Sequence, residues 1–499
     1  MPNKLQRLPV KLYSAEQVRE LDRIAIEEFE ILGYTLMHRA AVFSYQKLKE
    51  KWPDAESITV ICGGGNNAGD GYVLAGLAQE DGKQVSVFYL LDPANLKADA
   101  ASAYKYLQAS NIAASKFSAD DLIDTDVIVD AIFGTGLDRE VEGDFCDAIN
   151  AINTASVPVL SIDIPSGLNS DTGSIMNVAV NADVTATFIG LKKGMFTGEG
   201  PEYSGEIKFN DLDVPEEIYK RLDENAQSIC RLKLDDLNHV LKPRQRNSHK
   251  GHFGHVLVIG GDEGFLGAAR LAAEAAARVG AGLVSIATRS AHAALLSTMR
   301  PEIMSHGVET LEELMPLIKR ANVIAIGPGL GQSEWAKLLL ARVFESELPL
   351  VLDADALNLL AEEEQSSTNW VITPHPGEAA RLLNTDSKII QSDRFRSINS
   401  LHEKYTGPVV LKGSGTLIAN TKGDLFVCDA GNPGMSSGGM GDVLTGVIAG
   451  LIAQGIEINH ATKLGVCLHA NAADRAVGTG ERGLMALDLM PHLRKLVNQ

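Results

Sequence analysis

Residues 431–446 read GNPGMSSGGMGDVLTG: Gly431, Asn432, Pro433, Gly434, Met435, Ser436, Ser437, Gly438, Gly439, Met440, Gly441, Asp442, then the start of an apolar helical run. Amide groups freed at a helix start form a concavity suited to phosphate or an oxyanion. Glycines let the main chain approach such a ligand closely. Asp442 follows at once, near enough to take a proton from a hydroxyl beside that phosphate. An anion cradle with an adjacent carboxylate base is a constellation for phosphoryl transfer. The plainer reading is a glycine turn in which Asp442 only caps the helix.

The surrounding 499 residues are too many for one ordinary core, so two domains are expected. Apolar residues make up 45% and aromatics only 5%, with 47 glycines, which suits an α/β protein. The net charge of −19 argues against binding nucleic acid or anionic membranes, so an anionic ligand must be met by local helix ends. Cys62, Cys146, Cys230, Cys428 and Cys467 are scattered without a CxxC pair, implying neither a zinc site nor a disulfide framework. No apolar signal core opens the chain, and the run Val443 to Gln454 is too short to span a bilayer. A soluble, cytoplasmic protein is expected.

Ser14 is placed to cap a helix carrying Val18, Leu21, Ile24 and Ala25, and Leu36–Lys51 reads as a second helix. Residues 58–90 read strand, glycine loop, helix, strand, the loop running from Gly63 to Gly71. It lacks a P-loop lysine, but Asn66, Asn67 and Asp70 are able to bind polar ligands or a hard cation. A strand ending in Asp130 precedes the turn Gly134-Thr135-Gly136. The strand VPVLSID ends in Asp163, followed by Pro165, Ser166 and Gly167. In a parallel sheet these ends share the edge where ligands of open α/β folds bind. Further strands are read at 183–190 and 206–211, with Lys192 and Lys193 between them.

The segment 215–250 is charge-rich and lacks the α/β pattern. The first domain is therefore assigned to 1–220, a linker to 221–234 and the second domain to 235–499. From 255 the alternation restarts, with strands read at 255–260, 283–287, 322–331, 348–360, 370–383 and 408–420. Sharing no repeated motif, the two halves read as a fusion. Lys412, Gly413, Ser414, Gly415 and Thr416 form a turn suited to nucleotide phosphates or ribose. Gly329 and Gly331 permit close approach of a flat ligand. His375, flanked by Pro374 and Pro376, is held where its ring meets substrate. Asp353 and Asp355 suit magnesium or a strand-end cap equally.

GPGLG, TPHPGEAARLL, LKGSGT and NPGMSSGGMGDVLTG together resemble the ADP/ATP-dependent NAD(P)H-hydrate dehydratases of the ribokinase-like superfamily. GGGNNAGDG, VDAIFGTGL and DIPSGLNSDTG resemble the NAD(P)H-hydrate epimerases, with Ala68 where that loop usually has glycine. The whole chain is thus similar to the bifunctional repair enzymes of hydrated NAD(P)H. The resemblance implies a Rossmann-like three-layer N-terminal domain and a ribokinase-like doubly wound C-terminal sheet. It implies epimerisation of the R and S hydrates in the first domain, and dehydration of the S hydrate in the second, with ADP giving AMP and phosphate.

By the same resemblance, Asp442 and Asp163 are catalytic. Asn66, Asn67, Ala68, Gly69, Asp70, Gly134, Thr135, Gly136, Leu137, Asp138, Arg139, Glu140 and Asp163 bind the hydrate in one domain, and Gly329, Gly331, His375 and Asp442 in the other. Lys412–Thr416 and Asn432–Gly441 line the nucleotide, and Asn67, Asp130 and Ser166 hold potassium. Magnesium accompanies ADP or ATP, and a homo-oligomer is expected. The competing reading is a small-molecule kinase, of a vitamin alcohol for instance, joined to a non-catalytic binding module.

Overall fold

The computed structural model describes residues 8–118, 125–222, 229–363 and 365–498. They form two compact units that meet at Ile229 and Cys230. Residues 223–228 of the expected linker lie outside the described residues.

Unit 1 is built on seven parallel strands in the order Ala114–Lys116, Gln84–Tyr89, Ser57–Cys62, Val127–Ala131, Val159–Ile162, Val184–Phe188, Glu206–Asn210. The inner strands are buried on both faces, which is why they read as apolar runs rather than alternations. Val60, Cys62, Val127 and Val129 face the helices Gly33–Lys51, Asn66–Glu80 and Ala98–Ala109. Ile61 and Ile128 face the helix Asp144–Thr154 on the other side. The chain builds outward from Ser57–Cys62 in one direction, then returns at Val127–Ala131 and builds in the other. The two are paired from Ile58–Val127 to Cys62–Ala131, so their following loops diverge and open a crevice at the carboxyl edge.

Before this sheet the strand Lys11–Tyr13 pairs in parallel with Leu191–Lys192. Ser14 then caps the helix Ala15–Glu27 in a reciprocal box with Gln17, as the sequence led us to expect. Asp171 accepts the Ala15 amide at 2.8 Å and pins that helix start to the loop after Val159–Ile162.

Unit 2 orders its strands Met304–Gly307, Leu283–Thr288, His255–Ile259, Val323–Ile326, Leu350–Leu352, Trp370–Ile372 and Val409–Leu411 in parallel. The antiparallel Thr416–Ala419 and Leu425–Cys428 follow. Its switch point lies between His255–Ile259 and Val323–Ile326. A short helix begins at Leu234, and Leu234 and Leu237 are buried in this unit's core.

Several expected boundaries are corrected. Residues 322–331, 348–360 and 370–383 were each expected as one strand. They are strands of three or four residues followed by a turn at Gly327, by the helix Asp355–Leu360 and by the helix Pro376–Leu382. Apolar runs do not distinguish a buried strand from the buried helix that continues it. Ala114–Lys116 and Met304–Gly307 are edge strands with little apolar content, and the pattern did not mark them. The Gly63–Gly71 segment is not all loop: the helix Asn66–Glu80 starts inside it.

The helix Met440–Ala453 is buried over most of its length against Leu266–Arg278. A Cβ at Gly446 would lie 1.9 Å from the Ala272 carbonyl oxygen, so the two backbones touch there. We expect Gly446→Ala to destabilise unit 2 by about 3 kcal/mol through overpacking against backbone that has no room to move. Urea unfolding checks this, and a loss well below 1 kcal/mol would mean that the helices separate freely. Among the described residues, no helix is long and apolar enough to cross a membrane.

Candidate active sites

In unit 2 the mouth of Met440–Ala453 is capped by Gly439 at φ +90°, a conformation that suits glycine. Asp442 lies in the helix's first turn. Two strand ends come to meet it. Lys412 follows Val409–Leu411 and donates to Asp353, which follows Leu350–Leu352, at 2.7 Å. Asp353 also accepts from Thr373 Oγ1 at 2.8 Å and Thr445 Oγ1 at 2.9 Å. The Gly441 Cβ position would be 3.2 Å from Lys412 Nζ and 3.5 Å from Asp353 Oδ2, so the amide cradle, the lysine and both carboxylates share one site.

Burial opposes the charge on Asp353, yet Lys412 beside it holds its carboxyl below the usual range. The lysine is correspondingly raised, with burial opposing and Asp353 and Glu378 favouring its charge. Asp442 has no such partner. Burial first, then the neighbouring Asp353, pushes it up to about 7 against the pull of Lys412. An aspartate poised there serves as a base at neutral pH.

His375 is held on its turn by hydrogen bonds at both ends of the residue. Its Nδ1 accepts the Gly377 amide at 2.9 Å and caps the helix Pro376–Leu382, while Glu378 accepts the His375 amide at 2.7 Å. With Nδ1 so used, Nε2 carries the hydrogen in the neutral ring and faces Glu378 Oε1 at 3.4 Å. Glu378 in turn lies 3.6 Å from Lys412 Nζ, linking the histidine to the site. The ring remains half-exposed and open to a ligand.

Asp355 accepts the Gly331 amide at 2.8 Å, fixing the turn that holds Gly329 and Gly331. Asp353 and Asp355 are thus committed to hydrogen bonds within the site. The Asn432 side chain is spent on Gly434 N and Asp474, and Met440 packs into the core, so both offer a nucleotide only their main chain. Ser436, Ser437 and Gly438 stand exposed at the helix mouth, and Ser437 donates to Leu484 O at 3.0 Å. In the Lys412–Thr416 turn, Gly413 and Ser414 are exposed and Gly415 is buried.

In unit 1 a cavity of about 800 Å³ opens at the switch point. Asn66, Asn67, Asp70, Gly134, Thr135, Gly136, Leu137, Arg139, Glu140 and Asp163 line it, as expected. Ala68, Gly69 and Asp138 do not. Because the helix starts at Asn66, residues 68 and 69 turn toward the core: Ala68 is fully buried, and a Cβ on Gly69 would meet Met37 at 2.6 Å. Asp138 is exposed outside the cavity.

Asp163 sits at φ +69°, a conformation that costs a non-glycine residue about 1–3 kcal/mol and is held by its surroundings. Its carboxylate pairs with the fully buried Lys192, which also donates to Thr187 Oγ1 at 2.9 Å and Phe188 O at 3.1 Å. Asp22 and Asp70 line the same cavity. Asp70 is raised well above the usual range by burial, then by Asp163 and Asp22; burial, with Asp163 adding, raises Asp22 to about 6.

Sequence reading noted Lys192 without assigning it a role and missed Asp22. The available signal was a carboxylate at position 22 on the same helix face as Val18 and Ala25. Asp130, fully buried, accepts from Ser166 N and Oγ, Ser161 Oγ and Ile132 N. Both polar atoms of the Asn67 side chain are buried with no protein partner, and its Oδ1 is of the kind that ligates a hard cation.

The Lys412–Asp353 pair holds the unit 2 site together. We expect Lys412→Met to leave Asp353 buried without a counter-charge and to cost about 3–5 kcal/mol in urea unfolding. Retention of wild-type stability would show that the pair is dispensable.

The family described as NAD(P)H-hydrate dehydratase matches residues 256–495, and that described as YjeF-related protein N-terminus matches 33–194. The bifunctional NAD(P)H-hydrate repair enzyme Nnr of Coxiella burnetii is 49% identical over 98% of this chain and 99% of its own. The enzyme of that name from Escherichia coli is 41% identical over 98% and 95%. A ribokinase-like superfamily protein from Enterococcus faecalis superposes with a TM-score of 0.51 at 30% identity, covering 54% of this chain and 95% of its own. The chain belongs to the family of bifunctional NAD(P)H-hydrate repair enzymes.

Proposed function

We propose that unit 1 interconverts the two epimers of hydrated NAD(P)H and that unit 2 dehydrates the S epimer with ADP. The observation that carries the reading is Asp442: a half-buried carboxylate pushed up to about 7, directly after the Gly439–Gly441 amides and beside Lys412. Asp442 takes the proton of the hydrate's hydroxyl as that oxygen attacks the terminal phosphorus of ADP, and AMP leaves. The Gly439–Gly441 amides and Lys412 meet the charge that develops on the transferred group. Phosphate leaves far more readily than hydroxide, so elimination restores the dihydronicotinamide and releases inorganic phosphate. His375 and the Gly329–Gly331 turn face the hydrate, and Lys412–Thr416 and Asn432–Gly441 face the nucleotide.

Magnesium bound to ADP neutralises phosphate charge. The ion would be held by the phosphates and water, with Asp353 and Asp355, both also engaged in hydrogen bonds within the protein, the nearby carboxylates. In unit 1, Asn67, Asp130 and Ser166 hold potassium. The unsatisfied Asn67 amide supports that assignment.

Incubation of mixed hydrate epimers with ADP, magnesium and potassium tests the reading through the returning absorbance of reduced nicotinamide. Complete recovery with one phosphate released per cofactor is expected. A stable phosphate ester would favour a kinase instead.

Two variants refine this. For wild type, kcat/KM of dehydration should rise with pH through about 7, because the base acts only when deprotonated. Asp442→Asn should lose that rise and at least about a hundredfold in kcat while still binding ADP. Near-normal turnover would remove Asp442 from the mechanism. Asp163→Asn should stall recovery at the fraction of S epimer initially present, whereas rapid completion would leave Asp163 only a binding role.

A further inference from the structure

We propose that Asp22 is the proton donor of the unit 1 site and Asp163 its proton acceptor, with Lys192 deciding which of the two carries the charge. This rests on the epimerase reading above and goes beyond it in naming the second acid/base group and the bond that breaks.

The placement of Asp22 is built into the chain's start. Tyr13 pairs with Lys192 in the parallel strand pair, the Ser14 cap turns the chain, and the helix Ala15–Glu27 carries Asp22 two turns on to the cavity wall. Asp171 fixes the first residue of that helix. The groups acting on Asp22 come from several elements: Lys192 beside its strand, Asp163 after Val159–Ile162, Asp70 on Asn66–Glu80, and Tyr219 on Glu217–Lys220. Arg19, on its own helix, also lines the cavity. Tyr219 donates to Ile189 O at 2.8 Å, which spends its hydroxyl hydrogen.

Asp22, Asp70, Asp99 and Asp163 line the cavity with Glu140, Glu142, Arg19 and Arg139, and the fully buried Lys192 pairs with Asp163 at its wall. Lys192 has three acceptors: the Asp163 carboxylate, one hydroxyl and one carbonyl. Its charge is committed to Asp163. Asp22 makes no ion pair among the described residues, and burial, with Asp163 adding, outweighs the pull of Lys192 and raises it to about 6.

The substrate requires such a pair. Hydration of a dihydropyridine protonates the carbon β to the ring nitrogen and adds the hydroxyl at the α carbon, giving a hemiaminal. Inversion through an iminium ion breaks and remakes that C–O bond, whereas ring opening at the C–N bond would keep the original oxygen. Asp22 gives its proton to the hydroxyl oxygen, the C–O bond breaks, water leaves, and the nitrogen lone pair forms a C=N bond. Water adds to the opposite face, its oxygen forms the new C–O bond, and its proton passes to Asp163. Nothing is oxidised or reduced. One proton has moved from Asp22 to Asp163 and returns through cavity water before the next turnover. Lys192 is a positioning residue that keeps Asp163 ready to accept.

The test uses the full-length protein and purified R hydrate without ADP, following the S epimer by chromatography. Asp22→Asn should lower kcat by about a hundredfold or more with little change in KM. The fall of wild-type kcat/KM as pH rises through about 6 should vanish in that variant's residual activity. Formate should restore inversion to Asp22→Ala, a result that a merely structural role would not give. Lys192→Met should lower kcat, with partial recovery in Lys192→Arg. In ¹⁸O-labelled water the wild-type protein should place one solvent oxygen in each inverted product. Inversion by Asp22→Asn within about threefold of wild type, or retention of the original oxygen, overturns the inference. If wild type itself fails to invert the hydrate, the epimerase reading falls instead.

Discussion

Among the described residues, each site gathers more carboxylates around one lysine than that lysine pairs with. In unit 2, Lys412 is taken by Asp353 and leaves Asp442 to share what field remains. In unit 1, Lys192 pairs with Asp163, while Asp22 and Asp70 make no ion pair among the described residues and burial outweighs the pull of Lys192 on them. An isolated carboxylate in such surroundings is expensive to ionise, so it keeps its proton toward neutral pH. Folding thus sets in each site one aspartate paired with lysine and another that is not.

The sheets make this possible. Parallel strands gather their carboxyl ends on one edge, and at the switch point the loops part to leave room for a ligand. Asp353, Lys412 and Asp163 all stand at or just after such ends. Asp442 and Asp22 arrive on helices, one by close packing of Gly446 on the Ala272 backbone, the other through the Ser14 cap. Substitutions in those helix supports therefore bear on the chemistry without touching a reacting group.

The α/β class, the two-part organisation and the strand-end aspartates were legible because buried parallel strands read as apolar runs closed by polar turns. The stretch around Asp442 was legible because an anion cradle needs small residues in sequence order. Contacts brought together only by the fold were not. The Lys192–Asp163 pair joins residues 29 apart in sequence, and Lys412–Asp353 joins residues 59 apart. Ala68 and Gly69 were misplaced because the start of Asn66–Glu80 within a glycine-rich run is invisible to periodicity. That His375 uses its Nδ1 to cap a helix, leaving the rest of the ring half-exposed, was likewise not legible.

The central claim is that the surplus carboxylates of both sites hold protons near neutrality. Carboxyl-carbon NMR of the full-length protein labelled at aspartate measures this directly, with Asp442→Asn and Asp22→Asn supplying the assignments. The account predicts midpoints of about 7 for Asp442 and about 6 for Asp22. Titration of both in the ordinary aspartate range, near 3.8, would contradict it.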